Sequence, residues 1–335
     1  MKKLAVIFGG KSTENEVSVK SAKSILNNLD KSKYEIYPIY IDKNGTWFEF
    51  ESNKEIENIE KELKKADVVF PILHGLYGED GTIQGMLELF GIPYVGCKVL
   101  SSSLGMDKAY SKIIFEKAGI SQTKHVYVKA INEDSFLYVN SKFDEQNVNM
   151  ENLLKICEAE LTFPMFVKPS HSGSSIGVSK ADNLEELKQS ILNAFRFDKK
   201  VLIEQGIVGK EVECAVLGNS TIGIEISRVG EIISSENFYS YDAKYVNPKS
   251  LTIIPAQISQ AQEIEIQSLA KKAFQAIDGA GLSRVDFFIE DSTRKIYLNE
   301  INTMPGFTDI SMYPKLMEDF GYTYSKLLDK LIEIC

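Results

Sequence analysis

The sequence predicts an α/β fold that becomes α+β in its C-terminal part. The apolar run Leu4–Phe8 ends at Gly9-Gly10, as a buried parallel strand does before a turn. Further strands alternate with helices as far as Val68–Leu73, and the order βαβαβ is typical of a doubly wound parallel sheet. From Glu211 onward, strand patterns follow one another with few helices between them. With 335 residues, the chain is long enough for two or three domains, each with its own core.

Composition excludes several classes of function. Apolar residues make up 44% of the chain and charged residues 25%, as in an ordinary globular protein. The net charge of −9, with acids spread along the chain, argues against a nucleic-acid surface. The four cysteines have neither metal-ligand nor disulfide spacing, and no stretch is long enough for a membrane span or a signal peptide. We therefore expect a cytoplasmic protein with no nucleic-acid or membrane partner.

Two polar loops follow strands of the predicted N-terminal sheet. The first loop begins at Gly9-Gly10 and leads into a helix. Glu14 at the start of this helix is either an ordinary helix-start acid or a carboxylate that holds a substrate ammonium. The second strand is expected over Tyr34–Ile41, and a helix over about Lys54–Lys65. The loop His74–Gly81 then combines a His, a Glu and an Asp with glycines at the carboxyl end of a strand. Ligands of such sheets bind at this edge, so the loop is a candidate site.

The middle of the chain places lysines beside a glycine–serine loop. Lys108 opens a helix, and Lys168 lies near the end of the strand Phe163–Pro169. The loop Ser170–Gly177 joins this strand to the next, and small residues with free N–H groups can surround phosphate oxygens. It is not a Walker loop, which would run directly into a helix. We interpret it as a phosphate-binding hairpin lid rather than a plain surface turn.

A second lid is predicted over the aromatic and polar segment Phe238–Ser250, because long loops in compact domains are often functional. Lys244 and Tyr245 are the pair in this segment best suited to reach a ligand.

A predicted hairpin near the C-terminus carries the strongest metal signal. Arg284 and Asp286 share one strand face, as do Glu300 and Asn302, and the turn 291–294 joins the two strands. If Asp286 lies near Glu300, two carboxylates and an amide oxygen meet on one face, a donor set that suits Mg²⁺ together with a phosphate. With Lys108, Lys168 and the glycine–serine loop, this pattern indicates an ATP site.

The order of these segments resembles the ATP-grasp superfamily and, within it, the D-alanine–D-alanine ligases. The matching segments, which span nearly the whole chain, are Gly9–Ser18, His74–Gly81, Met106–Lys108, Val167–Gly177, Tyr239–Tyr245, Arg284–Asp286 and Asn299–Pro314. The resemblance implies a three-domain ATP-grasp architecture in which ATP is held between two sheet-containing domains. It places the domains at residues 1–97, 98–205 and 206–335.

The resemblance also implies an ATP-dependent ligation of two D-alanines through an acyl phosphate. The implied catalytic residues are Glu14, Ser174, Tyr245, Arg284 and Gly306. Glu14 would hold the first ammonium, with Ser174 and Tyr245 closing the lid. Arg284 and the backbone N–H of Gly306 would stabilise the oxyanion.

The remaining implied roles are binding roles. The substrate-binding residues are His74, Lys244, Ser311 and Met312. The ATP-binding residues are Lys108, Lys168, Ser174, Ser175, Glu204 and Glu211. The metal ligands are Asp286, Glu300 and Asn302, for two Mg²⁺ or Mn²⁺ ions. Among these, the lysines would contact phosphates, Glu204 the adenine and Glu211 the ribose.

The family also implies a homodimer, a monovalent cation as an aid to activity, and a dipeptide product for peptidoglycan and hence for the cell wall and cell shape. Two residues depart from its usual pattern. Ser172 and Ser240 stand where acids are frequent, and both lie in predicted lids.

Three alternatives remain open. The first is another ATP-grasp ligase, such as a D-alanine–D-serine ligase, which would differ near Lys244-Tyr245 and Ser311-Met312. The second is a nucleotide-binding regulatory protein of the same fold, although such a protein has no need of Arg284. The third, a dinucleotide-binding dehydrogenase, is supported only by Gly9-Gly10 after a strand, without the full G-x-G-x-x-G pattern.

Overall fold

The computed structural model describes residues 1–132, 134–233 and 251–335, and these residues form three β-sheets with helices packed against them. The predicted second lid, including Ser240, Lys244 and Tyr245, lies outside the described residues. No described helix is long and apolar enough to cross a membrane.

The first sheet confirms the predicted parallel arrangement. Its strands are β1 (Lys2–Gly9), β2 (Tyr34–Ile41), β3 (Trp47–Glu49), β4 (Lys54–Glu55) and β5 (Val68–Ile72), in the order β4-β3-β2-β1-β5. The central strand β1 pairs in parallel with β2 and β5, and Leu4–Phe8 is fully buried, as the continuous apolar run predicts. The helices are α1 (Asn15–Asn28), α2 (Ile59–Leu63) and α3 (Thr82–Phe90). The helix predicted over 54–65 is wrong in its first half, because Lys54 and Glu55 pair with β3 as an edge strand.

The second sheet is preceded by two helices, α4 (Val99–Met106) and α5 (Lys108–Lys117). Asp107 caps α5, accepting hydrogen bonds from the N–H groups of Ala109 and Tyr110. The elements that follow are β6 (His125–Ala130), β7 (Phe136–Val139), β8 (Glu145–Val148), α6 (Met150–Glu160), β9 (Met165–Pro169), β10 (Ser179–Ala181), α7 (Leu184–Ala194) and β11 (Lys200–Gln205). The sheet order is β10-β9-β11-β6-β7-β8. Strands β9 and β10 are antiparallel, so the glycine–serine loop does join two strands as predicted.

The third sheet is antiparallel and contains the predicted hairpin. Its elements are β12 (Gly209–Asn219), β13 (Gly223–Ile233), β14 (Leu251–Ile253), α8 (Gln260–Ala276), β15 (Gly281–Glu290) and β16 (Ile296–Asn302), and the strand order is β14-β13-β12-β15-β16. The chain then continues into α9 (Met312–Phe320) and α10 (Tyr324–Glu333). These two helices complete the α/β-then-α+β arrangement that the sequence predicts.

One hydrophobic cluster joins the first sheet to the third and fixes the segment 303–311 between them. Phe307 contacts Phe70 edge to face, with ring centroids 6.0 Å apart, and it also packs against Tyr313. The Tyr313 hydroxyl donates to the carbonyl of Val216 at 3.2 Å. The segment that follows the hairpin is therefore anchored on both sides by buried aromatic side chains.

Candidate active site

The hairpin β15–β16 brings the predicted metal-binding side chains together. Asp286 pairs with Glu300, and Arg284 pairs with Asn302. Arg284 donates from Nε and Nη2 to the two carboxylate oxygens of Asp286 at 2.8 and 2.7 Å. The Asn302 side-chain amide also donates to Asp286, at 3.0 Å. The polar face predicted from strand alternation is confirmed, with Arg284 as the counter-ion of Asp286.

Sequence reasoning missed Glu213, which holds Arg284 from the neighbouring strand. Glu213 pairs in register with Asp286, and its Oε2 lies 3.0 Å from the Nε of Arg284. Both Glu213 and Asp286 are buried. The guanidinium is thus fixed between two buried carboxylates, which pre-organises it as a cation at one end of the hairpin. The signal was present in Glu211-Val212-Glu213, where alternation places both acids on one strand face.

A cavity of about 410 Å³ lies between the second and third sheets. All six residues expected to bind ATP line it: Lys108, Lys168, Ser174, Ser175, Glu204 and Glu211. Glu300, one of the three predicted metal ligands, lines it as well. The volume falls within the range of small-molecule and cofactor sites.

A β-bulge adds Asn299 to this cavity. The register between β15 and β16 shifts next to Asp286, and Asn299 has no partner residue in the ladder. Consecutive residues of a regular strand point to opposite faces, yet Asn299 and Glu300 both line the cavity. The Lys168 ammonium donates to Oδ1 of Asn299 at 3.1 Å. The bulge therefore connects the hairpin to Lys168, the lysine predicted to contact phosphates.

Glu204 is paired with two lysines at the inner wall of the cavity. Its carboxylate oxygens lie 2.7 Å from Nζ of Lys112 and 2.5 Å from Nζ of Lys168. Burial would raise the pKa of Glu204, but the two ammonium groups hold it well below its usual range. Burial lowers the pKa of Lys112 in spite of Glu204. Lys112 was not predicted from the sequence, although it lies four residues after Lys108 on the same face of α5.

Lys108 links the glycine–serine loop to the hairpin. Its ammonium donates to the carbonyl of Ser172 at 2.9 Å and lies 3.1 Å from Oε2 of Glu300. Burial alone would lower the pKa of Lys108, but the Glu300 carboxylate raises it above its usual value. Lys108 therefore remains a cation between the glycine–serine loop and the hairpin, both of which line the cavity.

Glu14 lies where the first sheet meets the glycine–serine loop. The Ser174 hydroxyl donates to Oε1 of Glu14, as the predicted pairing of these two residues requires. A Cβ atom on Gly173 would lie 2.6 Å from Oε2 of Glu14, and one on Gly75 would lie 2.3 Å from it. Both glycines thus allow a close approach of backbone to this carboxylate. Ser174 and Ser175 have φ angles of +49° and +60°, a left-handed conformation that is uncommon outside glycine.

Glu14 is predicted to hold a substrate ammonium. On that prediction, Gly75→Ala is expected to displace Glu14 and to raise KM for the first amino-acid substrate more than it lowers kcat. The new methyl group overlaps the carboxylate, and overpacking of this kind costs roughly 1–3 kcal/mol. Gly91→Ala is the matched control, because Gly91 is also left-handed (φ +66°) but has open space at the Cβ position. The measurement is steady-state kinetics of both variants. Equal kinetic constants for the two variants would contradict the inference that the missing side chain of Gly75 leaves room for the Glu14 carboxylate.

Glu79, in the His74–Gly81 loop, is a second acid near Glu14. Its carboxylate accepts hydrogen bonds from the N–H of Gly75 at 2.7 Å and the N–H of Met304 at 3.2 Å. Burial and the nearby Glu14 raise the pKa of Glu79 to about 8. A carboxyl group that retains its proton near neutral pH thus connects the His74–Gly81 loop to the segment after the hairpin.

The raised pKa of Glu79 predicts a specific pH dependence of stability. The folded pKa lies above the unfolded value, so the folded state binds the extra proton and its stability falls as pH rises from about 4.5 to about 8. In Glu79→Gln this group cannot ionise, so we expect a shallower decline. The measurement is urea unfolding of both proteins between pH 5 and pH 8.5. Parallel pH profiles would show that Glu79 ionises normally.

His74 differs from its predicted role as a substrate-binding residue. Its ring is buried, with Nε2 3.0 Å from the Ser21 hydroxyl and Nδ1 3.0 Å from the Met304 carbonyl. Burial lowers its pKa to about 4, so the ring is neutral. Both ring nitrogens are engaged inside the protein, and neither can hydrogen-bond a substrate in this conformation. His74 instead ties α1 to the segment after the hairpin.

Three other predicted site residues follow the hairpin: Gly306 and Ser311 lie next to each other, and Met312 lies in the core. A Cβ atom on Gly306 would lie 2.9 Å from the Ser311 hydroxyl, so these two predicted site residues are neighbours. The Ser311 hydroxyl accepts a hydrogen bond from the N–H of Thr308 at 3.0 Å. Met312, predicted to bind substrate, is instead buried in the core, and its Sδ would lie 2.8 Å from a Cβ on Gly230. As the first residue of α9, Met312 faces the third sheet rather than the site.

The side chains of Asp286, Glu300 and Asn302 on the hairpin provide oxygen ligands suited to a hard cation, but they are few. Two carboxylates and an amide oxygen are ligands that Mg²⁺ prefers, with substrate phosphates completing the shell. Among the described residues, no group of three or more His, Cys, Asp or Glu side chains is arranged to hold a metal ion. The residues present therefore fit a metal that is shared with a nucleotide rather than one held by the protein alone.

Comparison with known proteins decides the family. The model described as "D-ala D-ala ligase C-terminus" matches residues 126–333, and the model described as "D-ala D-ala ligase N-terminus" matches residues 3–64 and 49–97. The chain belongs to the D-alanine–D-alanine ligase family. Curated relatives that carry the name D-alanine–D-alanine ligase include the following two. The one from Caldicellulosiruptor bescii is 46% identical, covering 99% of this chain and 94% of the relative, and the one from Clostridium acetobutylicum is 45% identical, covering 99% and 97%.

Solved structures of ligases in this family share the fold along the whole chain. The VanG D-Ala:D-Ser ligase from Enterococcus faecalis aligns with a TM-score of 0.84 and 40% identity, covering 99% of each chain. The D-alanine–D-alanine ligase from Coxiella burnetii aligns with a TM-score of 0.78 and 33% identity, covering all of this chain and 95% of the other. The predicted ATP-grasp architecture is confirmed. The domain boundaries at 97 and 205 stay predictions.

Proposed function

We propose that this chain is an ADP-forming ligase that joins two D-alanine molecules, in peptidoglycan precursor synthesis. The observation that carries the proposal is one cavity, lined by the lysines Lys108 and Lys168 and by the carboxylate of Glu300. This arrangement fits a nucleotide triphosphate whose phosphates point toward the hairpin. The identity of about 45% to D-alanine–D-alanine ligases over the full chain supports the choice of substrate.

In the first step, a carboxylate oxygen of one D-alanine attacks the γ-phosphorus of ATP, an acyl phosphate forms, and ADP leaves. Glu14 binds the ammonium of this D-alanine, and Ser174 donates to Glu14 from the closed loop. Lys108 and Lys168 hold the phosphates, Ser175 supplies a further polar contact, and Glu204 and Glu211 line the adenosine end of the cavity. The contact between Ser174 and Glu14 closes the site against water, which would hydrolyse the acyl phosphate.

In the second step, the amine of the other D-alanine attacks the acyl carbon and forms the C–N bond. The tetrahedral oxyanion is stabilised by Arg284 and the N–H of Gly306, phosphate leaves with the C–O electron pair, and the proton of the attacking amine passes to an oxygen of that phosphate. Glu213 and Asp286 hold the guanidinium in place for this step. Ser311 and Lys244 would bind the carboxylate of the second substrate, and Tyr245 would close the lid together with Ser174.

Asp286, Glu300 and Asn302 would hold divalent cations, two Mg²⁺ or Mn²⁺. When bound, these ions supply charge neutralisation to the phosphates. A monovalent cation as an aid, a homodimeric assembly and a cytoplasmic location belong to the same proposal and rest on family membership.

The test is ADP release with D-alanine alone and with D-alanine paired with D-serine, D-lactate or L-alanine. D-alanine alone is expected to give the highest kcat/KM, with formation of the dipeptide. D-alanyl-D-serine synthesis is the second candidate, and the 40% identity to the VanG ligase is consistent with it. ADP release that requires D-serine would replace the first assignment with the second. Nucleotide binding without ADP release for any pair would indicate a non-catalytic nucleotide-binding protein.

A further inference from the structure

His171 lies at the start of the glycine–serine loop, outside the set of site residues described above. Its Nε2 lies 3.0 Å from Oδ2 of Asp107, and its Nδ1 lies 2.9 Å from Oδ2 of Asp198. Its backbone N–H also donates to Oδ2 of Asp198 at 2.8 Å. The imidazole therefore bridges the residue that caps α5 and a residue just before β11.

This geometry fixes the charge of the ring. A carboxylate can only accept hydrogen bonds, and here each ring nitrogen faces a carboxylate oxygen. A neutral imidazole has one nitrogen without a proton, which would place its lone pair against a carboxylate. Both contacts are favourable only when both nitrogens carry protons, so the bridge requires the imidazolium.

The bridge is continuous with the phosphate end of the cavity. Asp107 accepts from the Ser170 hydroxyl at 2.7 Å, and the N–H of Lys108 donates to the Ser170 carbonyl at 3.1 Å. The Lys108 ammonium in turn donates to the carbonyl of Ser172 at 2.9 Å. The residues on either side of His171 are thus both bonded to the first residue of α5. A shift of His171 would move the loop and Lys108 together.

We propose that His171 is a positioning residue for the ATP phosphates: its imidazolium, held between Asp107 and Asp198, fixes the start of the 170–177 loop against the N-terminus of α5. This inference depends on the proposed function in one respect, which is that the ligand of the cavity is ATP. His171 does not line that cavity and acts through Lys108 and the loop.

The charged groups around the ring set the pH range over which the bridge persists. They are Asp107 before α5, Asp198 before β11, and Lys200, whose ammonium lies 2.5 Å from Oδ2 of Asp107. The hydrogen bonds to Asp107 and Asp198 raise the pKa of His171 to about 9, against the opposing effect of burial. The folded pKa lies above the unfolded value of about 6.5, so the stabilisation is complete below about pH 6.5 and is lost as pH rises through about 9.

The experiment compares the full chain with His171→Gln, His171→Lys and His125→Gln. The probe is equilibrium binding of a non-hydrolysable ATP analogue with Mg²⁺ between pH 7 and pH 10, together with KM for ATP and kcat for ADP release. His125 is the matched control, because it is a part-buried histidine of the same sheet whose described hydrogen bond is to the Thr123 carbonyl. Thermal unfolding at pH 7 checks that each variant folds.

At pH 7.5, His171→Gln is expected to weaken nucleotide binding and raise KM for ATP by about tenfold, the size of one charge-assisted hydrogen bond, with kcat changed by less than about twofold. His171→Lys keeps one cation and should recover part of the affinity, and His125→Gln should match the unsubstituted chain. The affinity of the unsubstituted chain should fall between pH 8 and pH 10 toward that of His171→Gln, whose own profile is flatter.

Three results would overturn the inference. One is unchanged affinity in His171→Gln, and another is a loss of affinity that is the same at every pH. The third is equal losses in His171→Gln and His125→Gln. Failure of the proposed function is separable: if D-alanine does not stimulate ADP release by the unsubstituted chain, the substrate assignment fails, while nucleotide binding still tests His171.

Discussion

Arg284→Ala is expected to lower kcat for ligation by about 10²–10³-fold, or roughly 2.7–4 kcal/mol of transition-state stabilisation. The guanidinium is held by Glu213 and Asp286 at the end of the hairpin, where the proposed oxyanion forms. It does not line the 410 Å³ cavity, so the dissociation constant for nucleotide should change much less than kcat. Both quantities can be measured on one preparation, by coupled ADP release and by equilibrium binding.

Arg284→Lys is the control for this prediction. Removal of the arginine leaves Glu213 and Asp286 buried without their counter-ion, which is itself destabilising. Lysine retains the charge but loses the forked geometry, so stability should recover more than kcat. Thermal unfolding of both variants separates the two effects. Undiminished turnover in a folded Arg284→Ala protein would remove Arg284 from the mechanism.

Glu204→Ala is expected to lower the free energy of unfolding by about 3–5 kcal/mol, because it leaves the ammonium groups of Lys112 and Lys168 in the interior without their carboxylate. The side chains of Lys112 and Glu204 are only 3% and 5% exposed, so the Lys112 ammonium has little access to water. The measurement is urea unfolding monitored by circular dichroism.

The Lys129–Glu145 pair provides the matched control on the same sheet. Its contact is equally short, at 2.6 Å, but the two side chains are 30% and 47% exposed. Glu145→Ala is therefore expected to cost no more than about 1 kcal/mol. If Glu204→Ala and Glu145→Ala lower the free energy of unfolding by similar amounts, burial of the two Glu204 ion pairs contributes little to stability.

The hairpin could be predicted from the sequence because its geometry is local. Alternation along two strands joined by a short turn is enough to place Arg284 and Asp286 opposite Asn302 and Glu300, and the observed register agrees. Asn299 was missed because a bulge breaks the alternation on which the prediction depends.

Residues whose position depends on distant pairing were missed, or lie elsewhere than the sequence suggests. Glu213 reaches Arg284 only because β12 lies next to β15 in register, and Lys112 reaches Glu204 only because α5 packs on the second sheet. His74 stands in a glycine-rich polar loop, yet its ring is buried between Ser21 and Met304. Met312 follows Ser311 directly, but the first turn of α9 directs it into the core. Packing between sheets decides these cases, and a single sequence does not contain that information.

In the proposed reaction, a D-alanine carboxylate is phosphorylated within this site. Ligation with D-alanine carrying ¹⁸O in its carboxylate tests it most directly, because the acyl C–O bond to phosphate breaks when the amine attacks. One ¹⁸O atom is expected in each inorganic phosphate released, in step with ADP and dipeptide, as measured by mass spectrometry. Phosphate without ¹⁸O, formed at the same rate as ADP, would contradict it.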